Sequence, residues 1–280
     1  MITSVIPFET VWPPDAAEVE QRNEAVFDKY AQAYDDLYQD KDYQAECNFL
    51  EQIFRRYGSG ATRHILDLGC GSGGHAIPLA QRGYELFGVD QAPEMINLAQ
   101  KKAYGQNLHS SVFFETANIQ TLKLERVFDA VISMFAVLSY QTTNAQLFAT
   151  LKNVRAHLRP GGLFICDFWY GPAVLKQQPS IRVKVIRTDT KQIIRVAEPR
   201  LDIEKNIVTV SYRLFIFQNG SFVEEVTEDH RMRFLFLPEL ESFLSQVGLQ
   251  VIHSCASTDL DQPVSDNEWN ATIVAQLRPN

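Results

Sequence analysis

The residues best suited to do chemistry are a glycine-rich segment, Asp67-Leu68-Gly69-Cys70-Gly71-Ser72-Gly73-Gly74, and Asp90, which follows Asp67 by 23 positions. Glycine tolerates a positive φ and lets a ligand touch the backbone, and N–H groups at the start of a helix attract an anion or a carboxylate. A carboxylate such as Asp90 can accept two hydrogen bonds from a ribose diol. The spacing therefore predicts half of a nucleoside-binding site. The alternative is a purely structural turn with a capping aspartate.

Alternating strands and helices surround this segment. The predicted strands are His64–Leu68, Glu85–Val89, Val112–Glu115, Phe128–Met134 and Leu163–Phe168, and the helices between them are His75–Arg82, Pro93–Ala103 and Asn144–His157. Such alternation predicts a parallel sheet with right-handed crossovers. Asp90 then ends the second strand, close to the glycine-rich turn.

The alternation stops after the fifth strand. From about Ile181 to Leu237 the sequence predicts long antiparallel strands, and Asn219-Gly220 is a hairpin signal between two of them. A helix (Pro238–Val247) and two strands (Leu249–Cys255 and Ala271–Leu277) follow. The predicted units are residues 1–63 as an N-terminal arm and helical cap, 64–170 as a nucleoside-binding core, 171–237 as an antiparallel insert, and 238–280 as strands that complete the core sheet.

The N-terminal unit divides into an arm and two helices. Prolines at positions 7, 13 and 14 break regular structure in the first 23 residues. Apolar residues at helical spacing predict helices over Glu24–Tyr38 and Tyr43–Tyr57.

The glycine spacing also fits the dinucleotide fingerprint Gly-x-Gly-x-x-Gly, at Gly69, Gly71 and Gly74. Three features argue against a nicotinamide-dependent oxidoreductase. Asp67 stands two residues before the first glycine, the insert takes the place of a second half-domain, and no hydride-transfer constellation is visible.

Four ordered motifs between about Asp67 and Asp167 resemble those of class I S-adenosylmethionine-dependent methyltransferases. They are Asp67-Leu68-Gly69-Cys70-Gly71-Ser72-Gly73, Gly88-Val89-Asp90, Phe128-Asp129-Ala130-Val131-Ile132-Ser133 and Leu158-Arg159-Pro160-Gly161-Gly162. The resemblance implies an α/β fold with a Rossmann-like seven-stranded sheet, its last strand antiparallel, an N-terminal helical cap and an antiparallel β insert after strand five. It implies S-adenosylmethionine as cofactor, S-adenosylhomocysteine as product, and these cofactor-binding residues: Tyr30, Tyr34, Asp67, Gly69, Cys70, Gly71, Asp90, Gln91, Met95, Asn118, Ile119 and Met134. The family usually has aspartate at position 118.

A narrower resemblance lies in the flanks. Tyr34-Asp35-Asp36-Leu37-Tyr38, Lys41-Asp42-Tyr43, Ser133-Met134-Phe135, Trp169-Tyr170 and Glu228-Asp229-His230-Arg231 are similar to segments of the N,N-dimethyltransferases that act on dTDP-linked amino sugars. The resemblance implies a nucleotide-sugar acceptor and a homodimer. Tyr140 stands where some members have histidine, and Asp167 where they have glutamate.

Residues at the predicted strand ends and in the insert are the candidates for acceptor chemistry. The catalytic candidates are Tyr140, Asp167, Tyr38 and His230, and the substrate-binding candidates are Tyr38, Trp169, Tyr170, Arg182 and Arg195. Residues 181–200 carry six basic side chains against two acidic ones. Such a cluster suits a diphosphate, although basic side chains also protect an edge strand from pairing. Packing is the alternative role for each tyrosine and for His230.

Composition and charge argue against several other classes of protein. The 280 residues carry a net charge of −8 with a pI near 5.3, which disfavours a nucleic-acid partner. No apolar run is long enough for a membrane helix, and the start lacks a secretory signal. Four separated cysteines suggest reduced thiols in the cytoplasm, and the histidines show no metal spacing. The remaining alternatives are a small-molecule O- or N-methyltransferase without a nucleotide sugar, and a catalytically silent protein that binds the cofactor.

Overall fold

A seven-stranded sheet forms the centre of the computed structural model, which describes residues 30–278. Its strands in chain order are β1 (His64–Leu68), β2 (Glu85–Asp90), β3 (Val112–Thr116), β4 (Phe128–Ser133), β5 (Leu158–Trp169), β10 (Leu249–Ala256) and β11 (Asn270–Leu277). All six residues of β4 are buried, as expected for a strand covered on both faces. The spatial order is β10-β11-β5-β4-β1-β2-β3, with β11 antiparallel to both of its neighbours. The predicted fold is confirmed.

Helices flank this sheet. They are α1 (Ala31–Leu37), α2 (Tyr43–Tyr57), α3 (Ala76–Gln81), α4 (Pro93–Gly105), α5 (Asn144–Ala156), α6 (Gly171–Gln177) and α7 (Leu237–Gln246). The starts of α2 and α5 are fixed by capping. Asp42 accepts a hydrogen bond from the N–H of Ala45 (2.9 Å), and Thr143 forms a capping box with Gln146. The sequence did not predict α6.

The insert is a separate four-stranded antiparallel sheet of β6 (Arg182–Arg187), β7 (Lys191–Asp202), β8 (Ile207–Gln218) and β9 (Ser221–Arg233), paired in chain order. Asn219 and Gly220 both have positive φ, 50° and 80°, and they join β8 to β9 as the hairpin signal predicts. Buried residues of this sheet pack against α1 and Met95 of α4. The insert therefore covers the carboxyl edge of the central sheet.

One sequence prediction on the bounds of an element needs correction, and another is tested only in part. Strand β5 begins at Leu158 rather than Leu163, because Leu158 still pairs with Phe128 of β4. The helix predicted over Glu24–Tyr38 is described only as α1, and its earlier part and the arm with Pro7, Pro13 and Pro14 lie outside the described residues.

The part of the chain from residue 30 to residue 278 contains no helix that is both long and apolar enough to span a membrane. Within the same residues, no group of three or more His, Cys, Asp or Glu side chains could hold a metal ion. The four cysteines are buried and unpaired.

Candidate active site

A cavity of about 190 Å³ opens at the carboxyl edge of the central sheet, between the glycine-rich turn and the insert. Open α/β sheets bind ligands at this edge. Its lining includes two groups of residues: the turn, Asp90 and Asn118, which we treat as one end, and Tyr140, Trp169 and His230, which we treat as the other. The fold thus brings the residues of two predicted sites into one continuous space.

The glycine-rich turn is held by backbone hydrogen bonds. The N–H groups of Gly69 and Cys70 both donate to the carbonyl of Val89, at 2.8 and 2.9 Å. Asp90 accepts the N–H of Gly71 through Oδ2 (3.0 Å) and that of Ala92 through Oδ1 (2.9 Å). Asp90 therefore ties the turn to the start of α4 while it lines the cavity.

The turn has room and charge for S-adenosylmethionine. Gly71 has φ +52°, and a Cβ placed there would meet nothing within 4 Å, so a ligand can reach this backbone. Asp67 lies buried just before the turn, and its Oδ2 has no hydrogen-bond partner in the structure. Burial raises the pKa of Asp67 to about 6 and also raises the pKa of Asp90. Two carboxylates at this end favour a cationic ligand, and the donor carries both an ammonium and a sulfonium group.

The Asn118 end of the cavity carries a chain of amides. The Asn118 Oδ1 accepts the N–H of Gln120 (2.8 Å), and the side chain of Gln120 donates to Oε1 of Gln141 (3.0 Å). All three residues and Ile119 line the cavity. The amides of Gln120 and Gln141 are therefore additional polar groups beside Asn118 and Ile119, which were predicted to bind the cofactor.

Tyr140 reaches the opposite end on a 3₁₀ turn, Val137–Tyr140, that follows β4. Phe135 and Ala136 precede the turn with left-handed φ values of 69° and 56°, which are unfavourable for side chains other than glycine. The N–H of Ala136 donates to Oδ1 of Asp167 at 2.9 Å. This bond helps to hold the bend that aims Tyr140 at the cavity.

Asp167 was predicted among the catalytic residues, and it lies behind the cavity wall rather than among the lining residues. Burial raises the pKa of Asp167 to about 6, although the hydrogen bond from Ala136 acts to lower it. The structure therefore places this carboxylate where it supports the backbone of Phe135 and Ala136.

Helix α1 forms one wall of the cavity through Tyr34 and through Tyr38, which follows the helix. Asp35 accepts hydrogen bonds from Ser72 Oγ (2.8 Å) of the glycine-rich turn and from Lys102 Nζ (2.7 Å) of α4. On the insert side, Asp36 pairs with Lys191 at 2.5 Å and Asp40 pairs with Lys184 at 2.7 Å. The wall is thus attached to both the core and the insert.

Two predicted site residues stand behind Tyr38 rather than in the cavity lining. Arg195 donates to the hydroxyls of Tyr30 (3.3 Å) and Tyr38 (3.2 Å). The ring of Tyr30 packs on Tyr34 and Tyr212, with centroids 6.5 and 5.6 Å apart. Tyr30 and Arg195 therefore support the aromatic wall from outside.

The predicted basic cluster does not face the cavity. Lys184 and Lys191 are paired with the aspartates of and beside α1, and Arg182 is exposed on the edge strand β6. Tyr170 is also absent from the lining, since it packs on the core around β5 and α7.

Several lining residues were not among the predicted site residues: Tyr43, His75, Gln120, Gln141, Tyr212, Met232 and Asn270. His75 directly follows the glycine turn, and its Nε2 lies 2.6 Å from Oε2 of Glu46. Burial alone would raise the pKa of Glu46, but His75 and Lys41 lower it overall. His75 could have been identified in the sequence because it directly follows the glycine turn, whereas no local motif marks Tyr212, Met232 or Asn270.

Comparisons with known proteins agree with this geometry. Residues 65–162 match a family described as a methyltransferase domain. The chain is 25% identical over 224 residues to the dTDP-3-amino-3,4,6-trideoxy-α-D-glucopyranose N,N-dimethyltransferase of Streptomyces venezuelae, covering 79% of this chain and 90% of that protein. It is 24% identical over 243 residues to the putative methyltransferase YqeM of Bacillus subtilis, covering 87% and 94%.

The backbone comparison supports the same assignment at the level of the fold. A crystal structure of an S-adenosylmethionine-dependent methyltransferase from Clostridium acetobutylicum aligns with a TM-score of 0.76 and 23% identity, over 89% of this chain and 98% of that one. The glycine turn, the carboxylates beside it and the matched domain lead to one conclusion. The chain carries a methyltransferase domain and is an S-adenosylmethionine-dependent methyltransferase.

Proposed function

We propose that this methyltransferase N-methylates the amine of a nucleotide-linked amino sugar. The observation that carries the proposal is the second end of the cavity, where Tyr38, Tyr140, Trp169, Tyr212 and His230 form an aromatic and polar chamber beneath the insert. Aromatic faces suit the apolar side of a sugar ring, and polar tips suit its amine and hydroxyls. The relative from Streptomyces venezuelae, an N,N-dimethyltransferase of such a sugar, supports the same acceptor class.

The residues proposed to hold the donor share one end of the cavity. They are Tyr34, Gly69, Cys70, Gly71, Asp90, Gln91, Met95, Asn118, Ile119 and Met134, with Asp67 contributing negative charge from below and Tyr30 supporting the aromatic wall. When bound, S-adenosylmethionine supplies a methyl group on a positively charged sulfur. The protein must align the acceptor with that end and exclude water, and positioning of this kind contributes roughly 7–11 kcal/mol.

At the acceptor end, we assign Tyr38 and Trp169 to the walls that hold the sugar. Tyr140 orients the amine, and Asp167 acts through the backbone of Ala136. Arg182, exposed on the edge strand of the insert and outside the cavity lining, is the residue that we assign to a diphosphate extending out of the chamber.

A direct assay tests the acceptor. The purified chain is incubated with S-adenosylmethionine and dTDP-3-amino-3,4,6-trideoxy-α-D-glucopyranose, and the nucleotide sugar is weighed by mass spectrometry. We expect the sugar to gain one or two methyl groups, with Asp90→Ala as the variant impaired in donor binding. If the sugar stays unmodified while a simple amine or phenol is methylated, the chain is a methyltransferase of another small molecule. If no acceptor yields S-adenosylhomocysteine, the chain only binds the donor.

We also propose that the chain forms a homodimer in a reducing compartment such as the cytoplasm. Ile181, Val183 and Val185 at the edge of the insert expose 67, 61 and 47% of their surface, and a second copy would cover these apolar side chains. Light scattering should give twice the chain mass, and Val183→Asp should lower it. A monomeric wild-type chain at micromolar concentration would refute the dimer.

A further inference from the structure

Three side chains form a hydrogen-bonded row that starts in the acceptor chamber and leads away from it. The hydroxyl of Tyr140 lies 2.7 Å from Nδ1 of His230, and Nε2 of His230 lies 3.3 Å from Oε2 of Glu228. Tyr140 and His230 line the cavity, whereas Glu228 does not. The row therefore connects the chamber to a carboxylate behind its wall.

Strand geometry fixes the inner part of this row. Glu228 and His230 are two positions apart on β9, so their side chains lie on the same face. The other carboxylate oxygen of Glu228 accepts the N–H of Tyr30 at 3.0 Å. The rings of Tyr30 and Tyr212 pack around His230, with centroids 5.6 and 4.9 Å away. Imidazole and carboxylate are both nearly buried, with 4% and 9% of their side chains exposed.

The row also determines which nitrogen of His230 carries the proton. A carboxylate only accepts hydrogen bonds, so Nε2 must donate to Glu228. In the neutral ring Nδ1 is then an acceptor, and it takes the hydroxyl proton of Tyr140. A phenol oxygen that donates its only proton to His230 can only accept from any further partner, such as an N–H of the substrate.

We propose that Tyr140, His230 and Glu228 form a proton relay that deprotonates the protonated amine of the acceptor, with Glu228 as a positioning residue. An N–H bond of the ammonium breaks, and its electron pair stays on nitrogen as the nucleophilic lone pair. The proton moves to the oxygen of Tyr140, whose own proton moves to Nδ1 of His230. The imidazolium is stabilised by the Glu228 carboxylate and later returns its proton to water. The amine in this relay rests on the proposed function.

The surroundings of the row are consistent with a relay through a neutral phenol. Burial raises the pKa of Tyr140 well above its ordinary value, and Tyr212, Tyr38, Tyr30 and Glu228 act in the same direction. Arg195, over the ring of Tyr212 at 5.3 Å, and Arg182 are cations that act on Tyr212 from this side. Tyr140 therefore passes a proton on rather than holding a negative charge.

The pH dependence of turnover tests the relay with the nucleotide sugar named above as acceptor. Amines lose their proton to water at about pH 8–10, so the relay is needed most at lower pH. At about pH 6.5 we expect Tyr140→Phe to lower kcat about 10²-fold, within the range of general base catalysis, and Glu228→Gln to lower it about tenfold. Both defects should shrink toward about pH 9.5. Glu225→Gln, an exposed change on the same strand, should leave kcat unchanged.

A defect of equal size at every pH would overturn the relay, because a merely structural loss does not depend on the protonation of the amine. The wild-type chain provides a second measurement that needs no acceptor. Nitrogen-15 NMR of the imidazole should show His230 protonated at Nε2 when neutral, and protonation at Nδ1 would overturn the proposal. If the sugar is not methylated although His230 has the expected tautomer, the proposed acceptor is wrong and the geometry of the relay stands.

Discussion

Asp67→Asn tests how the buried carboxylate before the glycine turn affects stability. Burial raises the pKa of Asp67 from 3.8 to about 6, so the folded chain holds this proton more tightly than the unfolded chain does. Its contribution to stability is therefore fully present below about pH 4 and is lost as the pH rises through 6. At 1.36 kcal/mol per unit of pKa, the loss amounts to about 3 kcal/mol.

Asparagine has no carboxyl proton to lose and gains no charge, so the variant should escape this pH-dependent cost. We expect the free energy of unfolding of Asp67→Asn, relative to wild type, to rise by about 3 kcal/mol between about pH 4 and pH 7.5. Urea titrations followed by tryptophan fluorescence at several pH values measure this difference. Any loss from the amide's own contacts is the same at each pH and cancels. A difference that stays constant over this range would refute the reasoning.

Three further predictions concern the donor end and its wall. Asp90→Ala should weaken S-adenosylhomocysteine binding at least about tenfold by isothermal titration, since charged hydrogen bonds contribute roughly 1.5–3 kcal/mol; unchanged affinity would remove Asp90 from the site. Gly69→Ala should cost more stability in urea than Gly71→Ala, because a Cβ at Gly69 would lie 2.5 Å from a valine methyl and one at Gly71 meets nothing within 4 Å. Overpacking at Gly69 should add roughly 1–3 kcal/mol to the loss of stability. Equal losses of stability in the two variants would contradict this prediction. Lys102→Met should weaken donor binding about threefold through loss of a half-exposed pair, whereas Lys101→Met should not; equal effects would exclude a specific role for Lys102.

Local sequence patterns predict most of the fold and most of the residues around the glycine turn that line the cavity. The turn chemistry of Asn219-Gly220 and the apolar run of β4 act over a few residues, so the sequence alone predicts them. The acceptor end depends on strand pairing across the insert. His230 faces Tyr140 because Val210 pairs with His230 in the β8–β9 register, and such long-range register is not readable from spacing. Asp167 was expected at the rim, but its side chain points to the backbone of Ala136.

The attachment of helix α1 bears on how ligands enter and leave the chamber. The aspartates of and beside α1 join the core on one side and the insert on the other through ion pairs that water can reach. Salt screens exposed charges, so we expect higher ionic strength to weaken the attachment of this wall. Moderate salt would then speed the departure of spent donor, while stronger screening would let solvent in and slow the alignment of the next pair of reactants.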